Sequence, residues 1–552
     1  MTGRRPPLTT DRRLGAGLVL RSGSAAPYRA VQIIEGEPHV VRDDLGAPDD
    51  GSPAGPDPAR PLLCLAHITD LQLADVQSPT RFEFLNRYFA DPRYAEILPV
   101  QRPQEALTAH AVDATLRTLN AACGPATGAA PQLAVTTGDA IDNAQWNEAQ
   151  AFLALFDGGL VRPDSGGPRY EGVQSLDWPD DIFWKPDGVA PGGPDVFRSA
   201  FGFPHYPGLL EHALREFSAA GLRIPWLSCF GNHEALDQGV GIITDRLAGA
   251  FTGTRNPVAL PDDFDHDRAL DLFTERPEVL MTGPAVTITG DPGRRPITRQ
   301  EFVQAHFQPG SRPFGHGFTE QNRLSGTAFY AYDTPAVRFI ALDTCSLAGG
   351  GAGCLDRDQA RWLEARLTEV HSAYYGPDGR QVATGHDDRL VIIFSHHGAG
   401  TLTNTRGPGG GAMLGGGDLL AQLHRFPNVV LWLNGHTHAN AVRPRRHPGH
   451  PRRGFWEVTT CAVIDWPCQT RLVELADCGG YLSIVCTMVD HDTPVAPRSL
   501  DTSDDLAALH RELAANMPLA GLHHPAGTGT PTDRNVELRL IPPFPLSRLA
   551  GL

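Results

Sequence analysis

The sequence has no CxxC pair, no apolar run long enough to cross a bilayer, and no GK[ST] ending of the kind that closes a phosphate-cradling P-loop. It also lacks any surplus of positive charge: the formal net charge is −16. Each absence excludes something. Without paired thiols there is no structural zinc site of the cysteine type. Without a basic surplus there is no general footprint for nucleic acid. An anionic substrate stays open, because a bound cation inverts the local field. Nine cysteines are present, an odd number, and Cys64, Cys229 and Cys486 sit inside apolar runs, where a thiol packs as a small hydrophobe. A disulfide framework is not expected, although Cys345 and Cys354 form a candidate pair in an oxidising compartment. The opening MTGRRPPLTTDRRLGAGLVLRSG is basic but only briefly apolar and does not read as a signal peptide. The expected location is cytoplasmic, with no membrane partner.

What is present is a repeated pattern. Hydrophobic residues make up 41% of the 552, ordinary for a soluble globular chain. Residues 1–60, rich in Pro, Gly and Arg, read as an N-terminal arm in which 28–36 and 39–42 form a small hairpin. From Pro61 onward, short apolar runs stop abruptly at polar residues. PLLCLAHITD ends at His67 and Asp70, and QLAVTTGDAIDN at Asp139 and Asp142. IPWLSCFGNHE ends at Asn232, His233 and Glu234, and VRFIALDT at Asp343. RLVIIFSHH ends at His396 and His397, and NVVLWLNGHTHAN at His436 and His438. Runs of this length and composition read as buried strands.

Residues 103–122 and 356–370 carry apolar residues at helical spacing. Strands alternating with helices imply an α/β fold, in which ligands collect beyond the carboxyl ends of the strands. Such a fold gathers these distant polar endings into one place. Two stretches, 157–221 and 237–335, interrupt the pattern and read as insertions that either border the site or elaborate the surface. FWEVTT, TRLVELA and YLSIVCTMV complete a main domain spanning 61–490, followed by a C-terminal extension, 491–552, with a short helix near 504–516.

The gathered donors are oxygen and nitrogen: Asp70, Asp139, Asn232, His396, His436 and His438. No thiolate belongs to the set, which suits Mn²⁺, Fe²⁺ or Zn²⁺ in a non-cysteine site. Six ligands are too many for one tetrahedral ion and fit two divalent ions sharing a carboxylate, the usual arrangement for hydrolysing phosphate esters.

The order GD, then GNHE, then a His pair, then GHTH resembles the calcineurin-like metallophosphoesterase superfamily, and LDRDQARWLEARL resembles the helix these enzymes often carry before the lone-His motif. The resemblance runs from about Pro61 to Asp490. It implies a sandwich of two mixed sheets flanked by helices, in four α/β/β/α layers, with large insertions. It implies a phosphoric ester hydrolase with a dinuclear centre, a metal-bridging hydroxide and a small phosphate-ester substrate. By position, Asp139 would bridge both ions, Asp70 and His438 would bind the first, and Asn232, His396 and His436 the second. His233 would stabilise or protonate the leaving oxygen, with Glu234 holding its imidazole.

One position departs from the family pattern. Its first motif is Asp-x-His, whereas this chain has Asp70-Leu71-Gln72. Three cases follow: Gln72 binds the first ion through its carbonyl oxygen, Asp142 or His67 compensates, or that ion is loosely held. His397 is the alternative to His396. Outside the motifs, VRPRRHPGHPRR reads as either an anion-attracting segment or a solvated loop. GAGTLTNTRGPGGGAMLGGG reads as a rim or a plain loop, and Asp465-Trp466-Pro467 and Asn143 as pocket lining or turns. Nothing in the sequence separates phosphodiester from monoester substrates, though the lack of a dedicated monoester pocket leans toward diesters. A scaffold that has lost catalysis and a mononuclear hydrolase are the alternatives.

Overall fold

The computed structural model describes residues 5–46, 59–407, 410–518, 520–522 and 526–549, without the side chains of 451–452. The remaining parts of the N-terminal arm, the glycine-rich stretch and the C-terminal extension lie outside the described residues.

The apolar runs build two mixed sheets. In the first, Arg60–Ile68, Leu133–Thr136 and Trp226–Leu227 lie parallel. Gln469–Asp477 joins Arg60–Ile68 antiparallel and is followed outward by Leu482–Asp490, Val536–Leu540 and Val40–Leu45. In the second, Val337–Leu342, Leu390–Ser395, Val429–Asn434 and His450–Thr459 are parallel, with antiparallel Tyr330–Asp333 and Ala441–His447 at the edges.

Alternation along the strands decides what each face buries. Phe339, Ala341, Ile392, Phe394, Leu431 and Leu433 point into an apolar cluster shared with Leu65, Val135, Leu472 and Ile484 of the first sheet. Their neighbours Ile340, Leu342, Val391, Ile393 and Trp432 pack on the other face against Leu363 and Leu367 of the helix Arg357–Thr368 and Leu419 and Leu423 of Gly416–Leu423. Burial on both faces is why these strands read as continuous hydrophobic runs. Asp356 caps the first of these helices by accepting from the Gln359 amide. Thr108–Leu119 forms within the expected helical stretch 103–122 and packs against Ser503–Asn516.

The terminal segments differ from expectation. Tyr28–Glu35 pairs not with 39–42 but with Arg12–Arg21, whose alternation of Gly, Ala and Leu disguised a strand. Val40–Leu45 instead runs parallel to Val536–Leu540, so chain from both ends completes the first sheet. All nine cysteines are free, Cys345 and Cys354 included. No helix among the described residues is long and apolar enough to cross a membrane.

Leu538 is fully buried in the shared core. Leu538→Ala is expected to lower unfolding stability by about 2–5 kcal/mol. A denaturant titration showing less than about 0.5 kcal/mol would mean that the C-terminal strand is not part of the cooperative core.

Candidate metal centre

The polar endings meet where the two sheets adjoin, beyond the carboxyl ends of their parallel strands. The loops are stitched to one another by backbone bonds. Asp70 N–H donates to the Gly138 carbonyl, Gln72 N–H to that of Asp139, and Gly435 N–H to that of His396. Five of the seven candidate ligands, Asp70, Gln72, Asp139, His436 and His438, have φ between 44° and 67°. Left-handed backbone costs a non-glycine residue of order 1–3 kcal/mol and persists where surrounding structure over-determines it. Here it turns consecutive strand ends toward one point.

Glycines in the motifs have a steric reason. A Cβ on Gly231 would lie 2.1 Å from Asp139 Oδ1, and one on Gly435 would lie 2.0 Å from Thr69 Oγ1 and 2.3 Å from Asp70 Oδ2. Only a bare backbone lets these loops close on the carboxylates.

Asp70, Asp139 and His396 are buried, with one ligand atom of each lying within 4.8 Å of the others. His396 Nδ1 donates to the Thr137 carbonyl at 2.8 Å, which directs Nε2 at Asp139 Oδ2, 3.0 Å away, and His436 Nδ1, 3.2 Å away. His438 is held similarly: Nδ1 meets Asp465 at 2.6 Å and Nε2 faces Asp70 at 3.3 Å. Thr69 and the His436 amide donate to Asp70, and the His233 amide donates to Asp139. Fixing one imidazole nitrogen so that the other faces a carboxylate is the usual support of a metal-ligating histidine. Buried polar atoms normally have partners, yet Asn232 Oδ1 and Gln72 Oε1 have none. Asn232 Nδ2 is bound to the Gly239 carbonyl, so its orphaned oxygen is available as a donor. The mixed donor set and these unpaired oxygens fit divalent cations.

Without an ion, protons hold the charges together. Burial works against the cations, but Asp139 raises His396 to about 9, and Asp70 and Asp465 raise His438 to about 10. Burial likewise opposes the anions, but His438 holds Asp70, and His396 holds Asp139, below the ordinary carboxylate range. Burial and the neighbouring His396 push His436 down to about 3, leaving it a neutral donor.

Several expected candidates have other partners. His397 lies in a triad with His396 and His436, but its Nδ1 meets Thr344 Oγ1 and its Nε2 the Gly351 carbonyl, each at 2.9 Å. Neither nitrogen is free, so His396 is the better ligand. Both nitrogens of His67 are taken by Thr137 and Thr460. The Asp142 carboxylate accepts from Arg81 and Gln238, each at 2.9 Å, and Asp343 from Arg299. His67 and Asp142 therefore do not complete the first set. Gln72 faces His233: its amide nitrogen is 3.2 Å from His233 Nε2. Glu234 does not hold that imidazole. Its carboxylate accepts from the amides of Gly231, Asp139, Ala140 and Ile141, bracing the loop itself. The backbone carbonyl of Asp142 holds His233 Nδ1, at 2.5 Å.

Two arginines escaped the sequence reading because nothing near them in the chain shows their partners. Arg102 binds Asp465 at 2.8 Å and lies 3.7 Å from Glu105. Glu105 in turn meets Arg81 at 2.8 Å, and Arg81 meets Asp142. This buried chain of charges joins the carboxylate behind His438 to the residue that carries His233. Asp465, expected only as pocket lining or a turn, is its key member.

Asp465→Asn is expected to weaken metal binding about 10–100-fold by releasing His438, measured by competition with a chromophoric chelator; unchanged affinity would separate Asp465 from the centre. The raised histidines also set a pH dependence. An unfolded histidine titrates near about 6.5, so their contribution in the metal-free protein is fully present below that pH. It fades as pH rises through about 9 and about 10, the folded values of His396 and His438. An ion displaces these protons. Melting temperatures of chelated protein should therefore fall through this window more steeply than those of metal-loaded protein, and parallel curves would contradict the assignment.

No family model and no curated protein matches the sequence. Among solved structures, a dimetal phosphatase from Danio rerio aligns over 78% of this chain and 100% of its own, at 12% identity and a TM-score of 0.30. GAP50, the anchor in the inner membrane complex of Plasmodium, aligns over 82% of this chain and 94% of its own, at 10% identity and a TM-score of 0.25. Similarity at this level says nothing of this chain's chemistry, which rests on its own side chains.

Proposed function

We propose that this chain is a metal-dependent phosphoric ester hydrolase of the calcineurin-like metallophosphoesterase type, with two sheets and flanking helices in the four-layer order of that superfamily. The observation that carries the reading is the convergence of Asp70, Asp139, His396, His436 and His438 beside the unpartnered oxygen of Asn232. By the resemblance, Asp70 and His438 would serve one ion, Asn232, His396 and His436 the other, and Asp139 both. We assign them to two divalent ions of Mn, Fe or Zn.

Divalent ions so held supply Lewis acidity, lowering the pKa of a water and neutralising phosphoryl charge. The chain's own residues supply orientation and a proton. His233 keeps a proton on Nδ1 for the Asp142 carbonyl, and Nε2, which accepts from the Gln72 amide, would exchange that contact for a proton before passing it to a leaving oxygen. That side chain is 15% exposed, so it lies at the mouth of the centre, whereas His396 is fully enclosed. A positioned acid of this kind contributes about 10²–10⁴ in rate. The substrate is a small phosphate ester, with a lean to diesters, in a cytoplasmic setting consistent with nine free cysteines.

A mononuclear centre is the second reading, favoured by Gln72 standing where the family pattern has an imidazole, with its amide nitrogen on His233. Metal analysis separates the two: two ions per chain supports the first reading, one ion the second.

Purified protein reconstituted with Mn²⁺ is expected to hydrolyse bis(p-nitrophenyl) phosphate. Asp139→Asn should abolish turnover and metal retention together. Full turnover and metal content in that variant would sink the assignment.

A further inference from the structure

The arginines that follow GHTH in sequence do not return to the metal centre. Ala441–His447 and His450–Thr459 form a hairpin whose tip, at His447 and His450, lies at the amino end of the neighbouring strand Val429–Asn434. His436 and His438 lie beyond the other end of that strand, a separation of about 20 Å at about 3.3 Å per residue. At the tip is a cleft of about 780 Å³, bordered by the helices Arg357–Thr368 and Gly416–Leu423. Tyr375, His424 and His447 also line an adjoining cavity of about 360 Å³. Its floor is apolar, with Leu423, Phe426, Val429, Phe455 and Leu540. Together they have the size and bipartite character of a small-molecule site.

We propose that this cleft binds a small organic anion with an apolar body. Its walls carry Arg357, Arg361, Arg425 and Arg453 against the single carboxylate of Glu364. In a chain of net charge −16 this is a local reversal of sign that draws anions. Glu364 is already paired with Arg425 at 2.8 Å and Arg361 with Asp358 on the helix surface, whereas Arg357 has no ion-pair partner among the described residues. The guanidiniums are backed by aromatic rings: Arg425 lies 5.5 Å from the Phe426 ring, itself stacked on Tyr374, and Arg453 lies 5.6 Å from the Tyr375 ring. Stacking of this kind fixes a guanidinium's plane. The edge of Arg425 is taken by Glu364 and the Tyr375 carbonyl, and Arg453 donates to the Tyr375 hydroxyl, so the cation left open to an oxyanion at the mouth is Arg357. His424 and His447 stand where mouth and floor join, with ring centres 5.4 Å apart. Burial holds both histidines below their ordinary pKa, so they enter as neutral hydrogen-bonding groups. An anionic head at the arginines and a flat apolar body over Phe426 and Phe455 match the two halves.

Titration calorimetry of the full chain with 1-naphthalenesulfonate tests this, since the sulfonate is not a phosphate ester and cannot be turned over. The expected result is one site per chain, with 1-naphthalenemethanol and inorganic sulfate each binding at least tenfold more weakly. Arg357 and Arg361 are exposed on the helix surface. The double variant Arg357→Glu, Arg361→Glu should therefore melt like the parent while losing at least tenfold in sulfonate affinity. Asp139→Asn should leave that affinity unchanged, separating this cleft from the metal centre. Equal affinity for the neutral alcohol, insensitivity to the double charge reversal, or loss of binding in Asp139→Asn would each overturn the proposal. So would self-association of the chain that competes with the sulfonate, which would make the cleft an interface between copies.

Discussion

A carboxylate taken out of water is tolerable only where cations and hydrogen bonds replace the lost solvation. Asp70 and Asp139 lie side by side in the interior, and their like charges repel. The surrounding structure answers that demand. Thr69 and the amides of His436 and His233 donate to the two carboxylates, and the His438 and His396 rings face them. Asp465 restrains His438, and Arg102 neutralises Asp465. The bare glycines and left-handed turns follow from the same demand, because the donors reach the carboxylates only if the loops close to contact distance. Removing one partner of such a buried pair generally costs about 3–5 kcal/mol, more than any surface ion pair contributes.

The legible parts of the sequence were those whose physics is local. A strand buried on both faces must be apolar throughout, so its abrupt end is visible, and VRFIAL, LVIIFS and VVLWLN are strands as expected. Glycine before a candidate ligand has a local reason too: Gly231 and Gly435 precede Asn232 and His436 because a Cβ there would strike Asp139 or Thr69 and Asp70. What was hidden depends on partners distant in sequence. Asp142 and Glu234 look like ligand-type residues, but the first meets Arg81 and the second braces its loop. Arg102 and Asp465 are separated by 363 positions, and no spacing rule links them. The pairing of Arg12–Arg21 with Tyr28–Glu35 was hidden for a different reason. Its exposed Leu18, Val19 and Leu20 break the alternation that marks a strand with one buried face.

The second sheet places two different chemistries at its two ends. At the carboxyl ends of its strands the backbone turns inward and presents buried oxygen and nitrogen donors, an environment built for cations. At the amino ends, arginines on a hairpin, on the helix Arg357–Thr368 and just past the end of Gly416–Leu423 surround an apolar floor, the environment proposed for an anion. Trp432 and Leu433 lie between these ends in the packed interior. A close-packed core of this kind keeps the two environments apart while holding both to one rigid frame.

Gln72 shows how the buried charges reach into the chemistry. An imidazole at this position would add a neutral donor to the side occupied by Asp70 and His438. The glutamine instead places its amide nitrogen, a donor, 3.2 Å from His233 Nε2, which accepts from it. Its oxygen is left without a partner. On the opposite side of the ring, His233 is held by Asp142, and Asp142 by Arg81. The same ion network continues through Glu105 and Arg102 to Asp465, which anchors His438. The ring that would deliver a proton and the ring that would hold a metal are thus oriented by one buried set of charges. A change in Arg81 or Arg102 acts on both, and its effects on metal affinity and on proton delivery are coupled rather than additive.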